Sequence, residues 1–132
     1  MEQVLKFLIV DDSQPFKDLT RVSLECEFGS CDIVEASNMD DAIRIFKKHG
    51  QFTLVIVDLE IDKSKDSGKT GLVGLELISQ LRILSPNVPI IAYTIHDDDK
   101  TIEALNKLNV EFVKKRMSSS DYLVSVIALQ FI

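Results

Sequence analysis

A chain of 132 residues with 45% apolar side chains is one ordinary domain with its own core, too apolar to be disordered and too short for two domains. Its net charge of −6 argues against a grip on nucleic acid or anionic membrane, which needs clustered Lys and Arg, and suits a site for a cation. Cys26 and Cys31 have no metal-ligand spacing, no apolar run approaches the roughly 20 residues of a membrane helix, and no signal-type segment opens the chain, so a soluble protein of the reducing cytoplasm is expected.

In chain order, Leu5 to Val10 reads as a buried strand that ends on acid, Asp11-Asp12. Ser13 and Pro15 suit the start of a helix, because Ser caps free amides and Pro is tolerated where no N–H partner is needed. That helix is expected to run to Phe28, to turn Phe16, Leu19, Ser23 and Cys26 to one side, and to close at Gly29. Cys31 to Ala36 is a second strand, followed by a helix from the cap Asn38 to His49 with Ala42, Ile43 and Phe46 inward. Phe52 to Val57 is apolar, β-branched and bounded by Asp58, the pattern of a strand buried on both faces.

The stretch 59–71 is rich in Asp, Lys, Ser and Gly and reads as an exposed loop. Helical spacing returns through Leu75, Ile78 and Leu81 and stops at Ser85-Pro86. Pro89 to Thr94 is a fourth strand, and Asp97 is the expected cap of a weaker helix carrying Ile102, Leu105 and Leu108. Val110 to Lys115 is a fifth strand. Ser118 and Asp121 have capping-box spacing, and the last helix is expected to bury Tyr122, Val126 and Leu129.

Strands that alternate with helices imply right-handed crossovers and one parallel sheet covered on both faces. The fold class is therefore α/β, a three-layer, doubly wound, flavodoxin-like sandwich of five strands in the order 2-1-3-4-5 with five helices. Ligands of such sheets bind outside the carboxyl ends of the strands, at the switch point beside the first strand. Asp11, Asp12 and Asp58 should converge there. Three ionised carboxylates in one crevice call for a cation, and an oxygen-only set suits Mg²⁺ with a phosphate oxygen. Thr94 and Lys115, at neighbouring strand ends, can neutralise charge on a transferring phosphoryl group. Each of these residues alone has a dull reading as a cap, a strand end or a solvated cation; it is their common edge that points to a site.

With these residues in place, the chain resembles a receiver domain of a two-component response regulator over essentially its whole length. The resemblance rests on Ile9-Val10-Asp11-Asp12-Ser13, Leu54-Val55-Ile56-Val57-Asp58, Gly74-Leu75-Glu76-Leu77, Pro89-Ile90-Ile91-Ala92-Tyr93-Thr94 and Phe112-Val113-Lys114-Lys115. It implies that Asp58 accepts a phosphoryl group from a histidine kinase or phosphotransfer protein. It also implies that Asp11, Asp12, Asp58 and the backbone carbonyl of Glu60 hold Mg²⁺, that Thr94 and Lys115 meet the phosphoryl oxygens, and that Phe112 is an aromatic switch. Glu60 and His96 occupy positions that flank the path of hydrolytic water in receivers, and so tune the phosphoryl lifetime.

The chain departs from the family pattern where a Lys-Pro step is usual: here it is Lys115-Arg116, expected to be trans, and Lys114 is a rival for the role of Lys115. The loop after Asp58 is longer than usual. Within it Gly68-Lys69-Thr70 mimics the end of a P-loop, whose first glycine would fall at Lys63; a mixed-charge flap is the preferred reading. The expectation is a stand-alone receiver, a signalling switch rather than an enzyme, read by a downstream protein and binding neither nucleic acid nor membrane directly. Two rivals are a degenerate receiver that only binds proteins and a metal-dependent phosphohydrolase. For the latter, Glu60 would be the second acid, but 132 residues leave no room for a cap domain.

Overall fold

The computed structural model describes residues 4–65, 71–116 and 120–132. Five strands, β1 (Lys6–Val10), β2 (Asp32–Ala36), β3 (Leu54–Val57), β4 (Ile90–Thr94) and β5 (Glu111–Lys114), form one parallel sheet in the order β2-β1-β3-β4-β5. Five helices alternate with them: α1 (Gln14–Phe28), α2 (Met39–His49), α3 (Val73–Leu84), α4 (Asp99–Lys107) and α5 (Asp121–Gln130). This is the expected fold. None of the helices among the described residues is long and apolar enough to cross a membrane.

The layers follow from strand alternation, which sends successive side chains to opposite faces. Leu8, Val10, Val55 and Val57 pack with Ala42, Ile45 and Phe46 of α2 and Leu77, Ile78 and Leu81 of α3. Phe7, Ile9, Leu54 and Ile56 face the other way, onto Leu24 of α1 and Leu123, Val126 and Ile127 of α5. Burial of both faces explains why β1 and β3 read as continuous apolar runs.

Side chains cap α1, α2 and α4, the last one residue later than expected, while the N-cap of α3 is Leu72 and that of α5 is Ser120, not Ser118, neither with a side-chain cap bond. Ser13 Oγ accepts from Phe16 N at 3.4 Å, Asn38 Oδ1 accepts from Asp41 N at 2.8 Å, and Gly29 closes α1 at φ +71°, where a Cβ would be strained. The cap of α4 is Asp98, not Asp97. Asp98 takes Thr101 N at 3.2 Å and Thr101 Oγ1 at 2.8 Å, whereas Asp97 is drawn away by Lys114, 2.8 Å from its carboxylate.

Two packing expectations are corrected. The buried face of α1 is Lys17, Thr20 and Leu24; Phe16, Leu19 and Ser23 are half-buried and Cys26 is exposed. Hydrophobicity misplaced this stripe because two of the three inward residues are polar. Lys17 is satisfied by the Ser37 hydroxyl, and Ser23 turns to the hydroxyl of Ser120, the N-cap of α5. In α5, Leu123, Val124, Val126 and Ile127 are buried while Tyr122 and Leu129 stand 60% and 86% exposed. That helix is apolar all round, so spacing alone did not choose its inner face.

The segment after β3 begins inside the protein. Leu59 and Ile61 are fully buried, Met39 N and Asp40 N donate to the carbonyls of Asp62 and Lys63, and Lys63 pairs with Glu76 at 3.4 Å. The exposed-loop reading therefore fails for its first residues, whose two apolar side chains were masked by polar neighbours. Gly68-Lys69-Thr70 and Ser118 lie outside the described residues.

Gly74 explains how tightly this segment is held. A Cβ there would stand 2.4 Å from Leu59 Cα and 2.6 Å from the Asp58 carbonyl oxygen, and Gly74 N donates to Leu59 O at 2.9 Å. Only glycine lets the start of α3 rest directly on the backbone beside Asp58.

Candidate functional site

Asp11, Asp58 and Lys115 stand one residue beyond β1, β3 and β5, and one added ladder bond fixes each. Asp11 N donates to Ala36 O at 3.1 Å, Asp58 N to Val10 O at 2.8 Å, and Lys115 N to Thr94 O at 2.9 Å. Their side chains converge: Lys115 Nζ lies 2.6 Å from Asp11 Oδ2 and 3.1 Å from Asp58 Oδ2, all three residues being buried. Asp12 is exposed at the rim, and the carboxylates of Asp11, Asp12 and Asp58 each offer an oxygen within 4.8 Å of the others.

The neighbouring lysines separate by alternation. Lys114 Nζ goes outward to Asp97 Oδ2 at 2.8 Å, while Lys115 enters the crevice. No cis peptide bond occurs among the described residues, the Lys115–Arg116 bond included.

The rest of the expected set surrounds this core. Thr94, fully buried at the end of β4, accepts from His96 N at 3.3 Å through its hydroxyl. Glu60 N donates to Asp58 Oδ1 at 3.3 Å. Glu60 Oε1 lies 3.1 Å from His96 Nε2, a close approach of the two side chains without the alignment of a hydrogen bond. Phe112 is half-buried in β5 beside the α2–α3 side of the core, paired with Ala92 rather than in the acidic crevice.

The crevice has a volume of about 240 Å³, and Phe16 and Ile95 flank its acids. Larger clefts, about 420 and 590 Å³, lie at the amino ends of the strands, beside Val110 and Phe52 respectively. They hold no grouping of acids, so size does not mark the site; charge does.

Burial pushes the Asp58 carboxyl above its ordinary value, with Asp11 adding to the rise and Lys115 and the Glu60 amide opposing it. Burial alone would pull Lys115 down, but its hydrogen bond to Asp11 and the charges of Asp58 and Asp11 prevail and hold it protonated. In the buried part of the crevice two carboxylates, Asp11 and Asp58, share the one ammonium of Lys115, so negative groups outnumber the positive one. An all-oxygen set with that surplus fits a hard divalent cation, which would reverse the rise at Asp58.

Sequence reasoning missed one contributor: Phe16, expected on the inner stripe of α1, sits with its ring centroid 4.0 Å from Lys115 Nζ. Gly74 stands in one of the motifs that carry the resemblance, and the structure gives it a role, the close approach of α3 to the backbone beside Asp58.

The molecule is thus a doubly wound α/β sandwich with an acid cluster, a lysine and a buried threonine at the carboxyl edge of its sheet. The family comparison agrees: residues 7–127 match the response regulator receiver domain, and the chain belongs to that family. Receiver domains are signalling switches that take a phosphoryl group from histidine kinases.

Among curated proteins, the chain is 23% identical over 111 residues to the glycerol metabolism activator of Pseudomonas putida, covering 83% of this chain and 47% of that protein. It thus spans about half the length of that relative. Among solved structures it resembles a CheY-like receiver domain protein from Methanospirillum hungatei, with 20% identity, TM-score 0.76, and 96% and 94% of the two chains covered. It also resembles the response regulator TrrA of Thermotoga maritima in complex with Mg²⁺-BeF, with 24% identity, TM-score 0.76, and 96% and 98% covered.

Proposed function

We propose that the chain is a response regulator receiver domain of the cytoplasm, in which Asp58 takes a phosphoryl group from a histidine kinase or phosphotransfer protein and so switches the surface offered to a downstream protein. One observation carries this reading: Asp58, at the tip of β3, has one oxygen bound to Lys115 at 3.1 Å and lies within a 4.8 Å cluster of acid oxygens.

Asp11, Asp12, Asp58 and the backbone carbonyl of Glu60 would hold Mg²⁺. When bound, Mg²⁺ supplies charge neutralisation on the phosphoryl oxygens. The carboxylate of Asp58 attacks phosphorus in line, the P–N bond to the donor histidine breaks, and the departing imidazole nitrogen keeps the electron pair and takes a proton. The product is an acyl phosphate on Asp58. Asp11 holds Lys115 at a fixed station beside the forming group.

Switching turns on Thr94. Its hydroxyl accepts from His96 N and can donate its own proton to a phosphoryl oxygen, a charged acceptor. Phosphorylation therefore favours the conformer in which Thr94 and Lys115 both reach it and Phe112 turns inward behind Thr94, a population shift read on the surface around β5. Glu60 and His96, facing each other across the approach to Asp58, tune how long the phosphoryl group lasts. On this reading the receiver domain spans at least residues 7–127.

Incubation with Mg²⁺ and a small acyl- or amidophosphate, followed by intact-mass measurement, should show one phosphoryl adduct in the wild type and none in Asp58→Asn. Chelating Mg²⁺ should suppress it. No adduct at any Mg²⁺ concentration would leave a binding module, and rapid turnover of phosphate monoesters would point to a hydrolase.

A further inference from the structure

The ammonium of Lys115 has two carboxylate acceptors, Asp11 Oδ2 and Asp58 Oδ2, and the ring of Phe16 as a further neighbour at 4.0 Å. At that distance the negative face of an aromatic ring attracts a cation, and more strongly when water is excluded. Lys115 is 8% exposed. The ring is delivered by the same turn that carries the acid. Asp11 Oδ1 accepts from Ser13 N at 2.9 Å, Ser13 Oγ accepts from Phe16 N at 3.4 Å, and Pro15 stiffens the first turn between them. Asp11, Ser13, Phe16 and Lys115 therefore close a circuit of contacts that begins and ends on the ammonium.

Core packing does not account for an aromatic there. The buried face of α1 is Lys17, Thr20 and Leu24, and Phe16 lies off it, half-buried at the edge of the acidic crevice. We infer that Phe16 is a positioning residue for Lys115: its ring holds the ammonium beside the Asp58 carboxylate, and thereby sets how fast Asp58 accepts a phosphoryl group. The inference rests on the reading of Asp58 as phosphoacceptor. A leucine would fill the same space without attracting the cation; a tyrosine would do both.

The test compares wild type, Phe16→Leu and Phe16→Tyr by two readouts. In NMR spectra of the unphosphorylated protein, the Lys115 side-chain resonances should be displaced by the ring current, return to ordinary lysine positions in Phe16→Leu and stay displaced in Phe16→Tyr. With Mg²⁺ and phosphoramidate, Phe16→Leu should form the adduct roughly 5- to 30-fold more slowly, the size of a desolvated cation–π contact, and Phe16→Tyr should restore the rate. Equal rates for wild type and Phe16→Leu, or a Tyr variant as slow as Leu, would overturn the inference, as would Lys115 resonances that lack the displacement in the wild type. A wild type that forms no adduct overturns the phosphoacceptor reading itself. That failure is distinguishable, because the Lys115 displacement would persist without it.

Discussion

Each edge of the sheet holds a cation, half-buried Arg82 at one and buried Lys115 at the other, and the two are treated differently. At the amino edge, Arg82 of α3 donates to the backbone carbonyls of Val88 at 2.5 Å, Leu108 at 2.8 Å and Asn109 at 3.0 Å, and burial lowers its pKa. Neutral acceptors satisfy its donors, and the guanidinium ties α3 to the turn between α4 and β5. At the carboxyl edge, the Lys115 ammonium is shared by two buried carboxylates, Asp11 and Asp58, so negative groups outnumber the positive one. The larger clefts lie at the balanced edge, beside Arg82 and Phe52. Structure is held where polar groups are satisfied, and chemistry is poised where charge is left over.

The comparison breaks most visibly at Lys115. Lys115→Ala leaves Asp11 and Asp58 buried without their cation, so it should cost about 3–5 kcal/mol of stability and abolish the conformational response to phosphorylation. Denaturant unfolding and NMR shifts around β5 check the two effects. Lys114→Ala, which removes only an exposed contact to Asp97, should spare both, and the reverse pattern would move the role to Lys114.

Arg82→Ala is the mirror experiment. Three carbonyls lose their donor, which should cost about 2–3 kcal/mol, yet the Asp58 adduct should form at the wild-type rate. Loss of adduct formation in a folded Arg82→Ala would show that the edges are coupled. Gly74→Ala falls between the two classes. Its new methyl meets the Asp58–Leu59 backbone, so it should cost about 1–3 kcal/mol and also slow adduct formation, as measured by thermal unfolding and intact mass.

The smallest effect is at the cap of α4. Its hydrogen bond from the Thr101 hydroxyl, and then that from the Thr101 amide, hold the Asp98 carboxyl below its ordinary value of 3.8. A depressed carboxyl stabilises the fold above the unfolded pKa and loses that contribution as pH falls through the folded one. Asp98→Ala should therefore destabilise slightly near neutral pH, with the difference from wild type vanishing in acid, as read by unfolding midpoints across pH.

The fold was legible because the central strands are continuous apolar runs and the loops before α1, α2 and α4 carry side-chain caps. Asp11, Asp12 and Asp58 were legible because they end such runs. What the sequence hid was packing of mixed polarity. Lys17 and Thr20 face inward on α1, Leu59 and Ile61 sink beneath acids, and α5 is apolar on every side. The partnership of Phe16 with Lys115 joins residues 99 positions apart, numbers 16 and 115, and no local spacing announces it.

The central claim is that the unbalanced edge places a phosphoryl group on one particular carboxylate. Borohydride treatment of the Mg²⁺-dependent adduct, followed by peptide mass spectrometry, tests it most directly, because an acyl phosphate is reduced to the alcohol at the residue that carried it. The account predicts a homoserine at position 58 and at no other acid of the crevice. Reduction at Asp11 or Asp12, or an adduct that resists borohydride, would contradict it.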